Sequence, residues 1–372
     1  MVKPLNLEFG QQIWQDAHET WQAWWDGRLE RPIVVCEGYK QFGWHEKHPD
    51  ARPKPNWTFA GFYALDMPID EVLDRYEAIL EAAYFLGDSL PKFYINLGPG
   101  VLAALLGSEY EFVDSSTWFS PPTVNGVSWE HTPLDQIDLT LNLEHPLWQR
   151  ICTLTEAGIE RWGSQLVYGI TDLGGNLDIL ASLIGAQRLA IEMVEQPQAV
   201  ERMCAQIRRA WLECYQIQHS IIDRAGMGSC GWSCLWAPKP MYMLQSDFAY
   251  MISSAMFRRF VMPDLAACCE TIAYPFYHLD GKGQIRHLDQ LLALEKLRGI
   301  QWVAGDGAPP AEEWLDLLRR IRDGGKLCQV YTSVAGARKI INALGGKGFA
   351  FEITDDLTSD KAQHAYEELT HG

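Results

Sequence analysis

The sequence predicts an α/β protein built as a (β/α)8 barrel: one domain over residues 1–372, with a helical extension at the N-terminus and an insertion near 110–145. Three observations lead there. Eight short runs rich in β-branched and aromatic residues recur along the chain, and most alternate with stretches of helical periodicity. The fifth run also ends in a pair of ligand-capable side chains followed at once by glycine. Strand–helix alternation implies a parallel sheet covered by helices, and eight repeats in a chain of this length imply closure.

The extension comes first. Phe9, Ile13, Trp14, Ala17, Trp21 and Trp24 recur at steps of one to four residues, which lays most of them on one helical face. Such a face packs over the protein or against a second subunit, with ligand stacking as the alternative. The strand runs follow at 32–38, 92–97, 166–171, 231–236, 275–280, 300–305, 326–332 and 348–353. Helical periodicity covers 69–86, 197–222, 253–273, 311–322 and 334–343. Residues 110–145, rich in Ser, Thr, Pro, Asn and Asp, read as an irregular insertion between the second and third strands. An open doubly wound sheet is the competing architecture. It lacks support because no GxGxxG follows the first strand and no P-loop occurs, Leu97-Gly-Pro-Gly100 being too short. Trp44, Trp57, Trp118 and Trp129 lie in loop-like sequence as pocket walls or ordinary packing, and His45 and His48 share a polar loop with Pro49 and Asp50.

Composition narrows the function. Hydrophobic residues at 47% and charged residues at 21% give a globular protein with a full core. A formal net charge of −17 argues against nucleic acid and against an anionic membrane surface as partners. No apolar run approaches the ~18 residues of a membrane span, and the first ten residues hold no signal-like apolar stretch. Nine scattered cysteines suit reduced thiols in a cytoplasm better than a disulfide framework.

The fifth run, Tyr274-Pro-Phe-Tyr-His278-Leu-Asp280-Gly-Lys-Gly, carries the chemistry. Alternate strand side chains point the same way, so His278 and Asp280 share a face at a strand's C-terminal end, where barrels keep their active sites. A hydrogen-bonded pair that stiffens the strand end is the other reading. Asp172, before Gly-Gly-Asn, is a general base or a substrate acceptor, or else a loop cap together with Asn176 and Asp178. Asp247 faces the mouth or makes a turn, and Asp306, between glycines, positions substrate or makes a turn. Gln329 and Tyr331 alternate on the seventh strand and point inward, which turns Cys328 toward the helices. Trp236 reads as a pocket wall. Cys230 and Cys234 are spaced CxxxC, which suits burial or ligation.

Several segments resemble the superfamily of uroporphyrinogen decarboxylase and the cobalamin-dependent methyltransferases. Asp172-Leu-Gly-Gly-Asn-Leu-Asp-Ile-Leu-Ala-Ser-Leu-Ile-Gly185, followed by Glu195-Gln-Pro197, is similar to its central strand–loop–helix. Gln245-Ser-Asp247 with Ser253, Ser254, Phe257, Phe260 and Pro263 looks like its "D…SPxxFxxFxxP" stretch, and Tyr277-His-Leu-Asp-Gly-Lys-Gly-Gln-Ile-Arg286 looks like its HxCG strand end. The likeness spans roughly residues 85–370. It implies a barrel with its active site in the mouth, and a homodimer.

The departures shape the expected chemistry. The decarboxylases carry an "RQAGR" motif and the aspartate of "FSDI"; here nothing like the first occurs near 32–43, and the second strand reads Phe93-Tyr-Ile-Asn-Leu-Gly98, leaving Asn96 as a substrate contact. The methyltransferases bind zinc through HxC and a later cysteine. At the matching places stand His278, Asp280 and Glu352, so hard carboxylates replace thiolates and a divalent ion (zinc first, manganese or iron as alternatives) is expected. The leading expectation is metal-assisted chemistry on a small molecule, in its most family-like form methyl transfer. Any corrinoid would arrive on a separate protein, since no DxHxxG segment occurs. Asp172, Asp306 and Asp247 would orient or deprotonate substrate. A cofactor-free decarboxylase, and a non-catalytic assembly protein whose tryptophan cluster is an exposed contact surface, are the alternatives.

Overall fold

The computed structural model describes every residue except 1, 3, 8, 50, 56, 57, 59, 114, 115 and 372, so Trp57 and Asp50 lie outside the described residues. In chain order the strands are β1 (Ile33–Tyr39), β2 (Ala83–Gly87), β3 (Lys92–Phe93), β4 (Glu109–Val113), β5 (Ser116–Ser120), β6 (Thr123–Val124), β7 (Val127–Ser128), β8 (Val167–Tyr168), β9 (Ser229–Cys230), β10 (Trp236–Ala237), β11 (Met241–Leu244), β12 (Tyr274–Asp280), β13 (Gly299–Val303), β14 (Leu327–Thr332) and β15 (Phe349–Ile353). Seven of them form one sheet in the order β11-β12-β13-β14-β15-β1-β2, parallel throughout except for the β1–β2 pair. A separate parallel pair, β3–β8, touches β9 through a bridge between Gly169 and Cys230. The hydrogen-bonded ladder therefore does not close into a ring. The architecture is mixed α/β with a mostly parallel sheet.

Three expected elements differ, each for a local reason. The run at 231–236 is a strand only at its last residue: the Lys92 ammonium takes the carbonyls of Ser233 at 2.7 Å and Gly231 at 3.4 Å, and the main sheet resumes at β11. The helix expected over 69–86 ends at Ala82, and the next five residues run antiparallel to β1 as β2, from Val35↔Gly87 to Tyr39↔Ala83. The helix expected over 253–273 breaks into Ser254–Phe260 and Met262–Thr271, because Pro263 has no N–H to continue the first segment's bonds. The insertion holds two hairpins, β4–β5 and β6–β7. Helix Pro197–Ile222 has the expected bounds, with proline in its first turn and Val200, Met203, Ile207, Trp211, Cys214 and Ile222 buried along one face.

The sheet's two faces separate by period two. Val34, Cys36, Tyr277, Leu279, Ile300, Trp302, Cys328, Val330, Phe349 and Phe351 join the large core under the covering helices. Their neighbours Ile33, Val35, Met241, Met243, Tyr274, Phe276 and Ala350 join a smaller core with Trp21, Trp24 and Trp25 of helix Gln11–Trp25. Those three indoles are at most 2% exposed. Each spends its N–H on a carbonyl: Trp21 on Asp88 at 2.9 Å, Trp24 on Phe349 at 3.1 Å and Trp25 on Trp236 at 2.8 Å. Helix Gln11–Trp25 thus seals the end of the sheet where β12 and β15 begin. The helix packs over the protein, one of the two placements expected for this face. The alternative of an exposed tryptophan contact surface does not hold for these three indoles, whose burial is tolerated because each N–H finds an acceptor.

Candidate functional site

On the face sealed at one end by tryptophan, the strand residues turn polar at the other end. His278 and Asp280 close β12, Gln301 lies on β13, Gln329 and Tyr331 on β14, and Glu352 on β15. His278 pairs with Gln301 and Gln301 with Gln329, so these three side chains stand level. His278 Nδ1 meets Gln301 Oε1, and Gln301 Nε2 donates to Gln329 Oε1. The Trp232 ring meets the imidazole edge-on, 5.0 Å between centroids.

Three ligand-capable atoms, one each from Asp247, His278 and Asp280, lie within 4.8 Å of one another. His278 Nε2 is 4.0 Å from Asp280 Oδ2, while Asp280 Oδ1 is buried with no hydrogen-bond partner. Asp247 opens the turn Asp247–Met251 after β11. That turn is pinned by Asp178, whose two oxygens accept from Asp247 N at 3.0 Å and Phe248 N at 2.7 Å. Because Leu244 pairs with Tyr277, three residues further along each chain bring Asp247 level with Asp280.

The carboxylates raise one another. Burial, then the charges of Asp247 and Asp306, push the Asp280 carboxyl up, opposed by His278. Burial and Asp247 push Asp178 up to about 7. Asp172 also rises to about 7, chiefly through burial and then through Asp247. Its Oδ1 accepts from Gly174 N at 2.8 Å and from the Tyr242 hydroxyl at 3.4 Å, and its Oδ2 accepts from Gln245 Nε2 at 3.4 Å. Asp172 is thus both a loop cap and a carboxyl poised near neutrality.

A cleft of about 600 Å3 opens beside Asp280, lined by Asp306, Glu312, Tyr331 and Thr332 among others, with no lysine or arginine among its described lining residues. Burial, then Glu352 and Cys234, raise the Tyr331 phenol. A second cavity of about 420 Å3 lies between the N-terminal segment and helix Gln11–Trp25, lined by Leu5, Phe9, Trp14 and His18, and contributes no carboxylate among its described lining residues.

Several sequence-predicted residues fall elsewhere. Glu352 shares the polar face but not the cluster: β13 and β14 separate it from Asp280, roughly 14 Å along the sheet at ~4.8 Å per strand. Its Oε2 instead accepts from Cys234 N at 3.2 Å. Trp236 is no wall of this site. It stacks on His18 at 4.4 Å under the N-terminal helix and donates to Met227 O at 2.7 Å, because the chain reverses between β9 and β10. Asn96 braces a loop, with Nδ2 on Thr58 O at 2.7 Å and Oδ1 on Gly98 N at 3.0 Å. Gln329 is fully buried, in contact with Gln301. Cys230 is buried between β8 and β10, and the Cys234 thiol is held well above its ordinary pKa by burial and then by Glu352. The His48 ring stacks on Trp44 at 3.6 Å within its own loop. Trp118 is 70% exposed and Trp129 buried. Sequence reasoning missed Trp232, Gln301 and Tyr242 as site residues, and named Asp178 only as a loop cap, the role it plays for the Asp247 turn. Only Gln301 had a usable signal, its alternation with residue 303 on an expected strand.

No family model matches the chain, and no curated protein matches it. Among solved structures, a methyltransferase from Methanosarcina mazei superposes with a TM-score of 0.61 over 95% of this chain and 98% of that one, at 12% identity. At that identity the likeness establishes a shared fold.

Proposed function

We propose that this chain is a metal-assisted enzyme of the uroporphyrinogen decarboxylase and methyltransferase superfamily, a (β/α)8 barrel that takes part in methyl transfer to or from a small molecule. The observation that carries this reading is the convergence of Asp247, His278 and Asp280 within 4.8 Å at the C-terminal edge of parallel strands. The donor set fits a divalent ion, zinc first and manganese or iron next: one imidazole, two carboxylates, and a buried Asp280 oxygen that no donor among the described residues satisfies. When bound, such an ion supplies Lewis acidity and lowers the pKa of a coordinated thiol or water toward neutrality.

The chain's own residues would do the rest. Trp232 packs edge-on against His278 and would limit rotation of its ring. Asp306 and Tyr331 line the cleft in which substrate would lie against Asp280. Asp172, with its carboxyl near neutrality, would hold or release a proton beside Asp247. The methyl group would come from or go to a corrinoid carried by a separate protein. The fold shared with a methyltransferase supports this version. Porphyrinogen decarboxylation gains no support, since a polycarboxylate needs cationic partners and the cleft lining is acidic. Nine free cysteines favour a cytoplasmic setting, and a homodimer is the expected assembly.

Metal analysis of protein purified without added ions tests the reading. Close to one divalent ion per chain, lost in His278→Ala with the fold retained, supports it. A wild type that neither retains nor takes up a divalent ion rejects it.

A further inference from the structure

We propose that Gln301 and Gln329 form a buried relay that sets the tautomer of His278, keeping its proton on Nδ1 and leaving the Nε2 lone pair free for the cation. This inference deepens the metal reading and rests on it for its purpose, though not for its geometry.

Three adjacent parallel strands put one residue each into a single row, His278 to Gln301 to Gln329. Gln301 and Gln329 are both fully buried, so water does not compete for their amides. An amide oxygen can only accept, so Gln301 Oε1 against His278 Nδ1 requires the imidazole to donate there. A neutral imidazole carries one ring proton, so Nε2 is then bare.

Gln301 is itself paired on its other side, where its Nε2 donates to Gln329 Oε1. The far end of the relay, Gln329 Nε2, has no partner.

The bare nitrogen faces the right way. His278 Nε2 lies 4.0 Å from Asp280 Oδ2, too far for a hydrogen bond. Two ligands each ~2.1 Å from a tetrahedral ion are roughly 3.4 Å apart, so a small contraction would seat both on one cation. Trp232, edge-on at 89°, limits rotation of the ring. Free imidazole side chains favour the proton on Nε2, so without the relay the protein would spend energy on retautomerising before ligation. Gln301 and Gln329 are therefore positioning residues, acting on the cation through His278.

The test uses full-length protein stripped with chelator and labelled with 15N-histidine, read by long-range 1H–15N correlation at neutral pH. Among the ten histidines, His278 is assigned by its loss in His278→Asn. The expected wild-type pattern is a protonated Nδ1 with an unprotonated Nε2. Gln301→Leu should move the proton toward Nε2 and weaken Zn2+ affinity, measured against a chromophoric chelator, about 10- to 100-fold. Gln301→Glu keeps an acceptor at that place and should retain both tautomer and affinity, which a purely space-filling role would not distinguish from Gln301→Leu. A wild type with its proton on Nε2 means that both amides run the other way and overturns the relay, whether or not Gln301→Leu folds. A wild type with the proton on Nδ1 that binds no Zn2+ leaves the relay standing and rejects the metal reading instead.

Discussion

Asp172 should make the protein less stable as pH rises, and Asp172→Asn should remove that dependence. The carboxyl is 8% exposed, and burial, reinforced by Asp247, pushes it up to about 7. In the unfolded chain it returns to about 3.9. A folded-state pKa above the unfolded one means that the native state favours the protonated form. The stability it contributes is complete below about pH 4 and is lost as pH climbs through about 7. At about 1.4 kcal/mol per tenfold change, the interval between those values amounts to roughly 4 kcal/mol. Asparagine cannot ionise, yet it keeps an oxygen for the Gly174 N–H that Oδ1 accepts at 2.8 Å. Urea unfolding of wild type and variant, in chelator, from about pH 4.5 to 8 reads the difference. The variant should gain on the wild type with rising pH, the gap opening near pH 4 and widening by roughly 3 kcal/mol between about pH 4.5 and 8. Parallel stability curves for the two proteins would refute the assignment of a protonated carboxyl at this position.

Three further outcomes are expected. Asp247→Ala should cost the bound divalent ion, as His278→Ala does, while Glu352→Gln leaves metal content unchanged; elemental analysis after gel filtration decides, and loss of metal in Glu352→Gln would restore that residue to the ligand set. Asp178→Ala should weaken metal affinity about 10-fold or more although Asp178 is not a ligand, because it frees the Asp247 and Phe248 N–H groups that hold the turn; a chelator competition measures it. Trp24→Ala should destabilise by about 3–5 kcal/mol in urea unfolding, through the cavity left by a 1%-exposed indole and the lost bond to the Phe349 carbonyl, without altering metal content.

Much of the architecture was legible because its signals are local. Helix Pro197–Ile222 announces itself through a first-turn proline and an apolar stripe at three- and four-residue steps, and β12–β15 through dense β-branched and aromatic runs between helices. The failures have long-range causes. The segment at 231–236 alternates like a strand, but a lysine about 140 residues earlier claims its carbonyls. Residues 83–87 continue the apolar content of the preceding helix, and only pairing with β1 makes them a strand. The N-terminal tryptophans are readable as one helical face, whereas their burial depends on carbonyls at Asp88, Trp236 and Phe349 that no local pattern reveals.

The candidate site shows the same division. His278 and Asp280 share a strand, so period two alone puts them on one face. A third ligand must come from another part of the chain, and there strand adjacency decides. Bonds of ~2.1 Å to one ion require donor atoms no more than ~4.2 Å apart. Neighbouring parallel strands come close to that limit: β11 lies beside β12, and the three donor atoms gather within 4.8 Å of one another. Glu352 starts three strands away, and its Oε2 holds the Cys234 N–H instead. Glu352 matched by its place at a strand end in sequence; Asp247 matches by its neighbour in the sheet, and a cation reads only the second kind of proximity.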